Sequence, residues 1–238
     1  MNLLALDTST EFLSLALTIG DKTFTHYQHT GAAASQLVLP QIQALLNSAN
    51  IQLNDLDGIA FGAGPGAFTG VRIACGVAQG LGFGANLPVV GINTLLAVAQ
   101  ASGAHKVIVC QDARMGEIYH ASFEKVNSEW QKPSETKVCK PEAAPVLACG
   151  ASPISKQQKQ WMGVGSGWAI YGEVLRNIYA EYLLDTMPTI TPMATAILQL
   201  AQPIFAVGLA KPAHEAMPIY VRNRVALTTL ERAAGLRL

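Results

Sequence analysis

The sequence Val107-Ile108-Val109-Cys110-Gln111-Asp112 is an apolar run that ends in an acid, and it repeats a pattern from the start of the chain. There, Leu3-Leu4-Ala5-Leu6-Asp7 is a similar run that also ends in an aspartate. Short apolar runs bounded by turn-forming residues are typical of buried strands. A turn and a second strand pattern follow each run, at residues 12–19 and 117–125. The chain therefore contains two copies of one strand–acid–hairpin unit.

Further strand and helix patterns follow each copy and predict the class of fold. The predicted segments are helices at 35–50 (capped by Ser35), 69–85, 94–102, 168–179 and 193–201, strands at 56–61 and 161–165, irregular surface at 128–145, and a helical tail from Val221 onwards. Duplicated units of this order predict an α/β fold with two actin-like lobes (ASKHA), each resembling ribonuclease H. The predicted lobes are residues 1–105 and residues 106–238.

The charge balance indicates that this chain does not bind nucleic acid by electrostatic attraction alone. Its 238 residues include 16 Lys and Arg against 16 Asp and Glu, which gives a net charge of +0. Without an excess of basic residues, the protein has no positive field that would attract a phosphate backbone. We expect any role with nucleic acid to be shared with a partner.

The N-terminus and the cysteines predict a cytoplasmic protein that does not associate with membranes. Met1 is not followed by basic residues, and Asp7 comes too early for the apolar core of a secretory signal. No apolar run reaches the roughly 20 residues that a membrane-spanning helix needs. The four cysteines show no C-x-x-C spacing, so free thiols are expected.

A glycine-rich stretch, Phe61-Gly62-Ala63-Gly64-Pro65-Gly66-Ala67-Phe68-Thr69-Gly70-Val71-Arg72, connects a predicted strand to a predicted helix. The N–H groups at a helix start can bind an anion. The candidates for a nucleotide or anion site near this stretch are Asp7, Thr8, Gly64 and Gly66. A P-loop, however, requires a lysine, and a dinucleotide fingerprint requires an acid about 20 residues further on. Neither is present. A structural turn and a partner surface stay open as alternatives.

The helix after this stretch has a second unusual feature, a line of glycines. Gly76, Gly80 and Gly84 recur every four residues, and each costs roughly 1 kcal/mol of helix stability relative to alanine. Close approach of another helix would compensate that cost. The neighbour is either the 35–50 helix of the same chain or a helix of another chain. Residues 58–111 contain no acid, which favours burial within the chain or against a partner.

The acids and histidines do not form a recognisable catalytic or metal-binding pattern. Asp7 and Asp112 could hold a metal-bound nucleotide in a cleft between the lobes, but aspartates at strand ends more often stabilise turns. The sequence has no H-x-x-x-H or H-E-x-x-H on a plausible helix and no G-x-S-x-G. We therefore predict no catalytic residue and no metal site on this chain.

Three motifs carry a resemblance to a known family. The run Gly64-Pro65-Gly66-Ala67-Phe68-Thr69-Gly70-Val71-Arg72 resembles the G-P-G-S-F-T-G-L-R signature of the TsaB (YeaZ) family. Leu4-Ala5-Leu6-Asp7-Thr8-Ser9-Thr10 and Pro218-Ile219-Tyr220-Val221-Arg222 are similar to its other two motifs, which also occur in its paralogue TsaD. The chain departs mildly from the signature at Ala67 and Val71. The resemblance covers almost the whole chain.

The resemblance implies an actin-like fold and a role in making threonylcarbamoyladenosine (t6A) beside the anticodon of tRNA. Members are considered non-catalytic subunits that pair with TsaD, which has metal-binding histidines and transfers the threonylcarbamoyl group. TsaE, an ATPase, joins the pair. It also implies that the chain forms a homodimer when alone and reaches tRNA only through the complex. No cofactor is expected on this chain alone, and a site for ATP or ADP with Mg stays open at the partner interface.

The family's helix bundle also assigns the partner-binding residues. It places the helices matching 35–50 and 69–85 against TsaD or a second TsaB. The partner-binding residues assigned in this way are Leu37, Leu45, Phe68, Thr69, Arg72, Gly76, Gly80 and Gly84. Two other functions stay open, an independent actin-like ATPase or sugar kinase that uses Asp7, and a peptidase. The missing nucleophile and metal ligands argue against the peptidase.

Overall fold

Two mixed β-sheets, one from each half of the chain, form the framework of the protein. The computed structural model describes residues 1–132, 134–147 and 159–222. Its strands are β1 (Leu3–Asp7), β2 (Phe12–Ile19), β3 (Lys22–His29), β4 (Gly58–Gly64), β5 (Val89–Asn93), β6 (Lys106–Asp112), β7 (Ile118–Val126), β8 (Glu129–Gln131), β9 (Lys137–Cys139), β10 (Trp161–Val164) and β11 (Leu183–Met187). Its α-helices are α1 (Ala34–Ser48), α2 (Phe68–Gly84), α3 (Thr94–Ala101), α4 (Gly167–Ile170), α5 (Gly172–Ile178) and α6 (Ala194–Ala206).

The two sheets repeat one topology, which confirms the predicted duplicated actin-like, ribonuclease-H-like fold. The first sheet has the order β3-β2-β1-β4-β5, and the second has the order β11-β10-β6-β7-β8, with β9 also paired to β7. In each sheet the apolar run found in the sequence lies at the centre, antiparallel to its hairpin partner and parallel to a later strand. Asp7 and Asp112 therefore occupy matching positions at the ends of the two central strands.

The first sheet is covered by helices on both faces, because side chains of β1 alternate between two apolar clusters. Leu4 and Leu6 pack with residues of α1 and α2 on one face. Leu3 and Ala5 pack with residues of α6 on the other face. Every residue of β1 is consequently buried. The face covered by α1 and α2 is the one that bears on function, since the opposite sides of these two helices are available at the surface.

The chain returns to the first lobe after completing the second sheet. Helix α6 comes late in the sequence but packs on the first sheet, where Ile197 and Leu198 join Ala5 and Ile92 in one cluster. Helix α3 packs against the second sheet as well, since Leu95 contacts the cluster of β6 and β7. A boundary at residue 105 separates the two sheets. However, this boundary places α6 in the second lobe, whereas α6 packs on the first sheet.

Several predicted segments differ from the structure, mainly in the second half. Residues 128–145, predicted to be irregular, contain β8, β9 and a 3-10 helix (Pro141–Ala143). The predicted 168–179 helix is two helices, α4 and α5, which meet at Tyr171. Strand β11 was not predicted, and α6 extends five residues beyond the predicted end at Ala201. The predicted helical tail lies largely outside the described residues, and its first two residues, Val221 and Arg222, are not helical.

The start of α1 also differs from the prediction. Ser35 lies within the first turn, and a 3-10 helix (Gly31–Ala33) leads directly into the α-helix. The N-cap residue is Ala33, whose side chain has no oxygen with which to cap. The N–H groups of this first turn therefore lack the side-chain acceptor that a serine N-cap would have supplied.

Candidate partner-binding surface and glycine loop

The glycines that lead into α2 are explained by close packing against the turn after β1. A Cβ added at Gly70 would overlap the carbonyl oxygen of Thr8, and one at Gly66 would lie 2.7 Å from the carbonyl oxygen of Ser9. A Cβ at Gly62 would overlap a carboxyl oxygen of Asp7. Only glycine lets the loop approach this turn so closely. The structural-turn interpretation of the glycine stretch therefore has a direct geometric basis.

Hydrogen bonds hold this approach in place. The backbone N–H of Ala67 donates to the carbonyl oxygen of Ser9 at 2.8 Å. In return, the hydroxyl of Thr8 donates to the carbonyl oxygen of Gly70 at 2.7 Å. The first turn of α2 is consequently fixed to the end of β1, and the direction of α2 across the sheet is set by the loop.

The Asp7 carboxyl group lies beneath the glycine loop and is fully buried. One oxygen, Oδ1, accepts hydrogen bonds from the N–H of Ser9 at 3.0 Å and from its hydroxyl at 2.9 Å. The other, Oδ2, has no hydrogen-bond partner among the described residues. Burial disfavours the charged form and raises the pKa of Asp7 to about 7. Thr8 and Gly64 are buried as well. The Asp7 carboxylate is therefore not accessible to a ligand in this packing, and the anion site stays a prediction.

Replacing Asp7 by asparagine should remove a pH dependence from the stability of the fold. Between about pH 4 and pH 7 the unfolded Asp7 is ionised while the folded one keeps its proton, so stability falls as the pH rises through this window. From pH 4 to pH 7.5 the wild type should lose about 4 kcal/mol of unfolding free energy relative to Asp7→Asn. Urea denaturation of both proteins at several pH values measures this. Parallel curves would contradict the burial of a protonated Asp7.

The second lobe repeats the arrangement with different residues. Ser166 donates its hydroxyl to the Gln111 side-chain oxygen at 2.6 Å and accepts the N–H of Asp112 at 3.0 Å. A Cβ at Gly167 would lie 2.8 Å from the carbonyl oxygen of Cys110, so this glycine also allows close packing on a central strand. Asp112 pairs with Arg114 at 3.5 Å, and Arg114 also pairs with Glu11 at 3.1 Å. The turns of the two lobes are thus linked by an exposed ion pair.

The glycine line of α2 faces away from the rest of the described chain. Apart from their chain neighbours and the backbone of α2 itself, no described atom lies within 4 Å of a Cβ added at Gly76, Gly80 or Gly84. The opposite side of the helix is buried through Ala74 and Ala78. The intrachain explanation of the glycine line is therefore wrong for the described part of the chain. What remains is a prediction of close packing with another chain, and Phe83, 77% exposed, lies at the end of the same helix.

Helix α1 contributes less to the predicted partner-binding surface than the sequence indicated. Leu45 is only 7% exposed and belongs to the core beneath α1 and α2. Leu37 is half-buried against the same core. The assignment of Leu45 to a partner-binding surface is therefore corrected, because periodicity alone did not distinguish the inner side of the helix from its outer side. Leu39, which the sequence analysis did not single out, is 51% exposed.

A cation–π cluster marks the start of α2. The guanidinium carbon of Arg72 lies 3.5 Å from the centroid of the Phe68 ring, and its Nε donates to the hydroxyl of Tyr220 at 2.8 Å. Thr69 is exposed beside this cluster. Phe68, Thr69 and Arg72 are thus brought together at the surface with Gly76 and Gly80 further along the helix. We use the name α2 face for the exposed residues Phe68, Thr69, Arg72, Gly76, Gly80, Phe83 and Gly84.

The C-terminal motif has a structural role that the sequence analysis did not predict. Ile219 donates its N–H to the carbonyl oxygen of Ala63 at 2.7 Å, which places the motif over the glycine loop. Arg222 pairs with Glu117 at 2.6 Å, on the second lobe. The motif therefore crosses from the glycine loop to the β6–β7 hairpin. In the sequence this segment was marked only by its similarity to a family motif, which did not indicate these contacts.

Two further features, a metal-binding cluster and a membrane-spanning helix, are absent from the described residues. No three His, Cys, Asp or Glu side chains come together there as metal ligands would. No helix there has the length and apolar character needed to cross a membrane.

The chain is similar to known proteins at the level of family and of individual relatives. A family model described as TsaD, tRNA N6-adenosine threonylcarbamoyltransferase, matches residues 28–228. The tRNA threonylcarbamoyladenosine biosynthesis protein TsaB of Escherichia coli (strain K12) is 35% identical over 231 residues, covering 95% of this chain and 96% of the relative. TsaB of Haemophilus influenzae is 38% identical over 239 residues, covering 94% and 95%.

Solved structures agree with the sequence comparison. A structure described as YeaZ from Pseudomonas aeruginosa matches with a TM-score of 0.77 and 36% identity, covering 92% of this chain and 99% of that one. A second, described as an uncharacterized protein with similarity to peptidase YEAZ from the same organism, matches with a TM-score of 0.79 and 36% identity. It covers 93% of this chain and 99% of that one. The similarity extends over both lobes.

Proposed function

Because the chain belongs to the TsaB (YeaZ) family, we propose that it serves tRNA t6A biosynthesis as a non-catalytic subunit that binds and activates a TsaD-like transferase. The observation that carries the proposal is the open glycine line of the α2 face. Glycines in the middle of a helix reduce its stability, and in the described part of the chain no packing against these glycines offsets that loss. A partner helix that packs closely on Gly76 and Gly80 would supply the missing stabilisation.

The match to the TsaD family model supports a partner of similar architecture. A transferase with the same type of lobe would present its own pair of helices at the equivalent position, and two such pairs can pack as a four-helix bundle. The same geometry would let two copies of this chain form a homodimer through the α2 face when the transferase is absent. Both assemblies would use one surface, so they would compete.

The wider assembly follows from the same proposal. A TsaE-like ATPase would join the pair, and tRNA would contact this chain only through the complex, in line with its net charge of +0. Any ATP or ADP with Mg would bind at the partner interface and not on this chain alone. The setting would be the cytoplasm, where tRNA modification takes place.

Size-exclusion chromatography with light scattering tests the proposal. The full chain, mixed with the TsaD-like transferase of the same organism, should elute as a complex with one copy of each, while the chain alone should elute as a dimer. Separate elution at micromolar concentrations of both proteins would contradict the proposed partner.

An independent ATPase is the competing function, and calorimetry distinguishes it. Asp7, the residue proposed to serve it, is fully buried beneath Gly62, so no carboxylate at this position is open to a metal-bound nucleotide. We expect no heat of binding when Mg-ATP is titrated into the isolated chain. Micromolar binding accompanied by turnover would favour the ATPase over the subunit.

A further inference from the structure

We propose that Arg72 determines which partner the α2 face accepts, by binding a carboxylate of an acidic partner chain that a second copy of this chain does not supply. The proposal rests on the proposed function, because it assumes that the α2 face is a docking surface. It adds the chemistry of the partner, which must place an aspartate or glutamate opposite the start of α2.

The guanidinium group of Arg72 is held in place before any partner arrives. It stacks on Phe68 at 3.5 Å and lies 5.5 Å from the centroid of Tyr220, while Nε is used by the Tyr220 hydroxyl. Within the described residues, neither terminal nitrogen of Arg72 has a hydrogen bond or an ion pair. These two terminal nitrogens form the planar edge of the guanidinium group, which can bind a carboxylate with two parallel hydrogen bonds. Because the group is already oriented, little rotamer entropy would be lost on binding.

The α2 face contains no acid that could satisfy Arg72. Residues 23–54, which include α1, contain no Asp, Glu, Lys or Arg. Residues 58–111, which include α2, contain only two such residues, Arg72 and Lys106. The 3-10 helix Ala213–Glu215 packs near α2, but the Glu215 carboxylate already pairs with Lys211 at 3.5 Å. Arg72 is thus a single cation on a surface that is otherwise uncharged.

This charge pattern distinguishes two kinds of partner. In a symmetric dimer the same surface meets itself, so two acid-free pairs of helices would come together with two unpaired Arg72 side chains. Covering an unpaired charge is unfavourable because its hydration is lost without a compensating partner. A different chain that brings a carboxylate would turn the same side chain into a favourable contact, and specificity arises from that difference.

Substitution of Arg72 by methionine tests the proposal, since methionine keeps an unbranched apolar stem over Phe68 and removes the charge. The Kd of the full chain for the TsaD-like transferase and the Kd of its self-association are both measured, at 50 mM and at 500 mM NaCl. Arg72→Met should weaken binding to the transferase at least about 10-fold at low salt and reduce its salt dependence. Self-association should stay the same or become tighter.

Two further variants serve as controls. Lys106→Met makes the same change in net charge at a lysine that already pairs with Glu124 at 3.0 Å, so both affinities should stay unchanged. Arg72→Lys keeps the charge but loses the planar fork, and its affinity for the transferase should fall between those of the wild type and Arg72→Met. Thermal unfolding of each variant verifies that the fold is retained.

The outcomes separate this proposal from the proposed function. If wild type and Arg72→Met bind the transferase equally, the role of Arg72 is wrong while the partner surface stands. If Arg72→Met weakens self-association as much as transferase binding, Arg72 only maintains the shape of the face, and the proposal is again wrong. If the wild type does not bind the transferase at all, the proposed function fails and the proposal fails with it.

Discussion

Gly80→Leu is expected to weaken binding to the transferase at least about 100-fold while leaving the isolated chain folded. A leucine at this position would hold a partner helix away from the backbone of α2 and so remove the close packing across the face. In the isolated chain it would meet no described atom within 4 Å of its Cβ. Because leucine favours helix more than glycine does, α2 of the monomer should become more stable by up to about 1 kcal/mol, measured at a concentration at which neither protein self-associates. Isothermal calorimetry and thermal unfolding measure the two effects.

A matched variant separates the interface from a general effect of added apolar surface. Asn177→Leu adds the same side chain at an exposed position of α5 in the second lobe. It should leave the affinity for the transferase unchanged. Equal affinities for Gly80→Leu and Asn177→Leu would show that the α2 face is not the interface.

Gly70→Val is expected to destabilise the fold by about 3 kcal/mol or more. The cause is a steric overlap inside this chain, not at the partner-binding surface. The added Cβ would overlap the carbonyl oxygen of Thr8, and backbone at both sides prevents an easy adjustment. Moving the first turn of α2 would also break the hydrogen bond from the Thr8 hydroxyl to Gly70. Urea denaturation of the isolated chain measures the loss.

The control for Gly70→Val is the same substitution where space is open. Gly84→Val, near the end of α2, would place its Cβ where no described atom lies within 4 Å. It should change the unfolding free energy by less than about 1 kcal/mol and in the stabilising direction, since only helix propensity is involved and that of valine is somewhat higher than that of glycine. A similar loss for both variants would contradict the explanation of Gly70 by close packing on Thr8.

The framework of the fold could be predicted from the sequence because its strongest signals lie in the two central strands. Leu3–Asp7 and Lys106–Asp112 have helices or loops on both faces, so they appear as continuous apolar runs. The tight packing after β4 is likewise visible as a cluster of glycines. The short strands β8 and β9 could not be recognised, because edge strands with exposed residues lack a clear pattern of alternation.

The surface was harder to predict because it depends on contacts between distant parts of the chain. Gly70 must be glycine because its backbone packs on Thr8, which lies 62 residues earlier in the sequence. Tyr220, which orients Arg72, is 148 residues away from it. Leu45 and Leu39 are both apolar residues of one helix, and only packing on the first sheet decides which one is buried. Sequence spacing predicted the helix, and the structure was needed to show which of its sides is exposed.

The t6A content of tRNA made in a reconstituted reaction tests the central claim most directly. The TsaD-like transferase and the TsaE-like ATPase of the same organism are supplied with a threonylcarbamoyl donor and unmodified tRNA, with and without this chain. We predict that t6A forms only when the wild-type chain is present, and that Gly80→Leu does not replace it. Full t6A formation without this chain, or by this chain without the transferase, would contradict its role as a non-catalytic activating subunit.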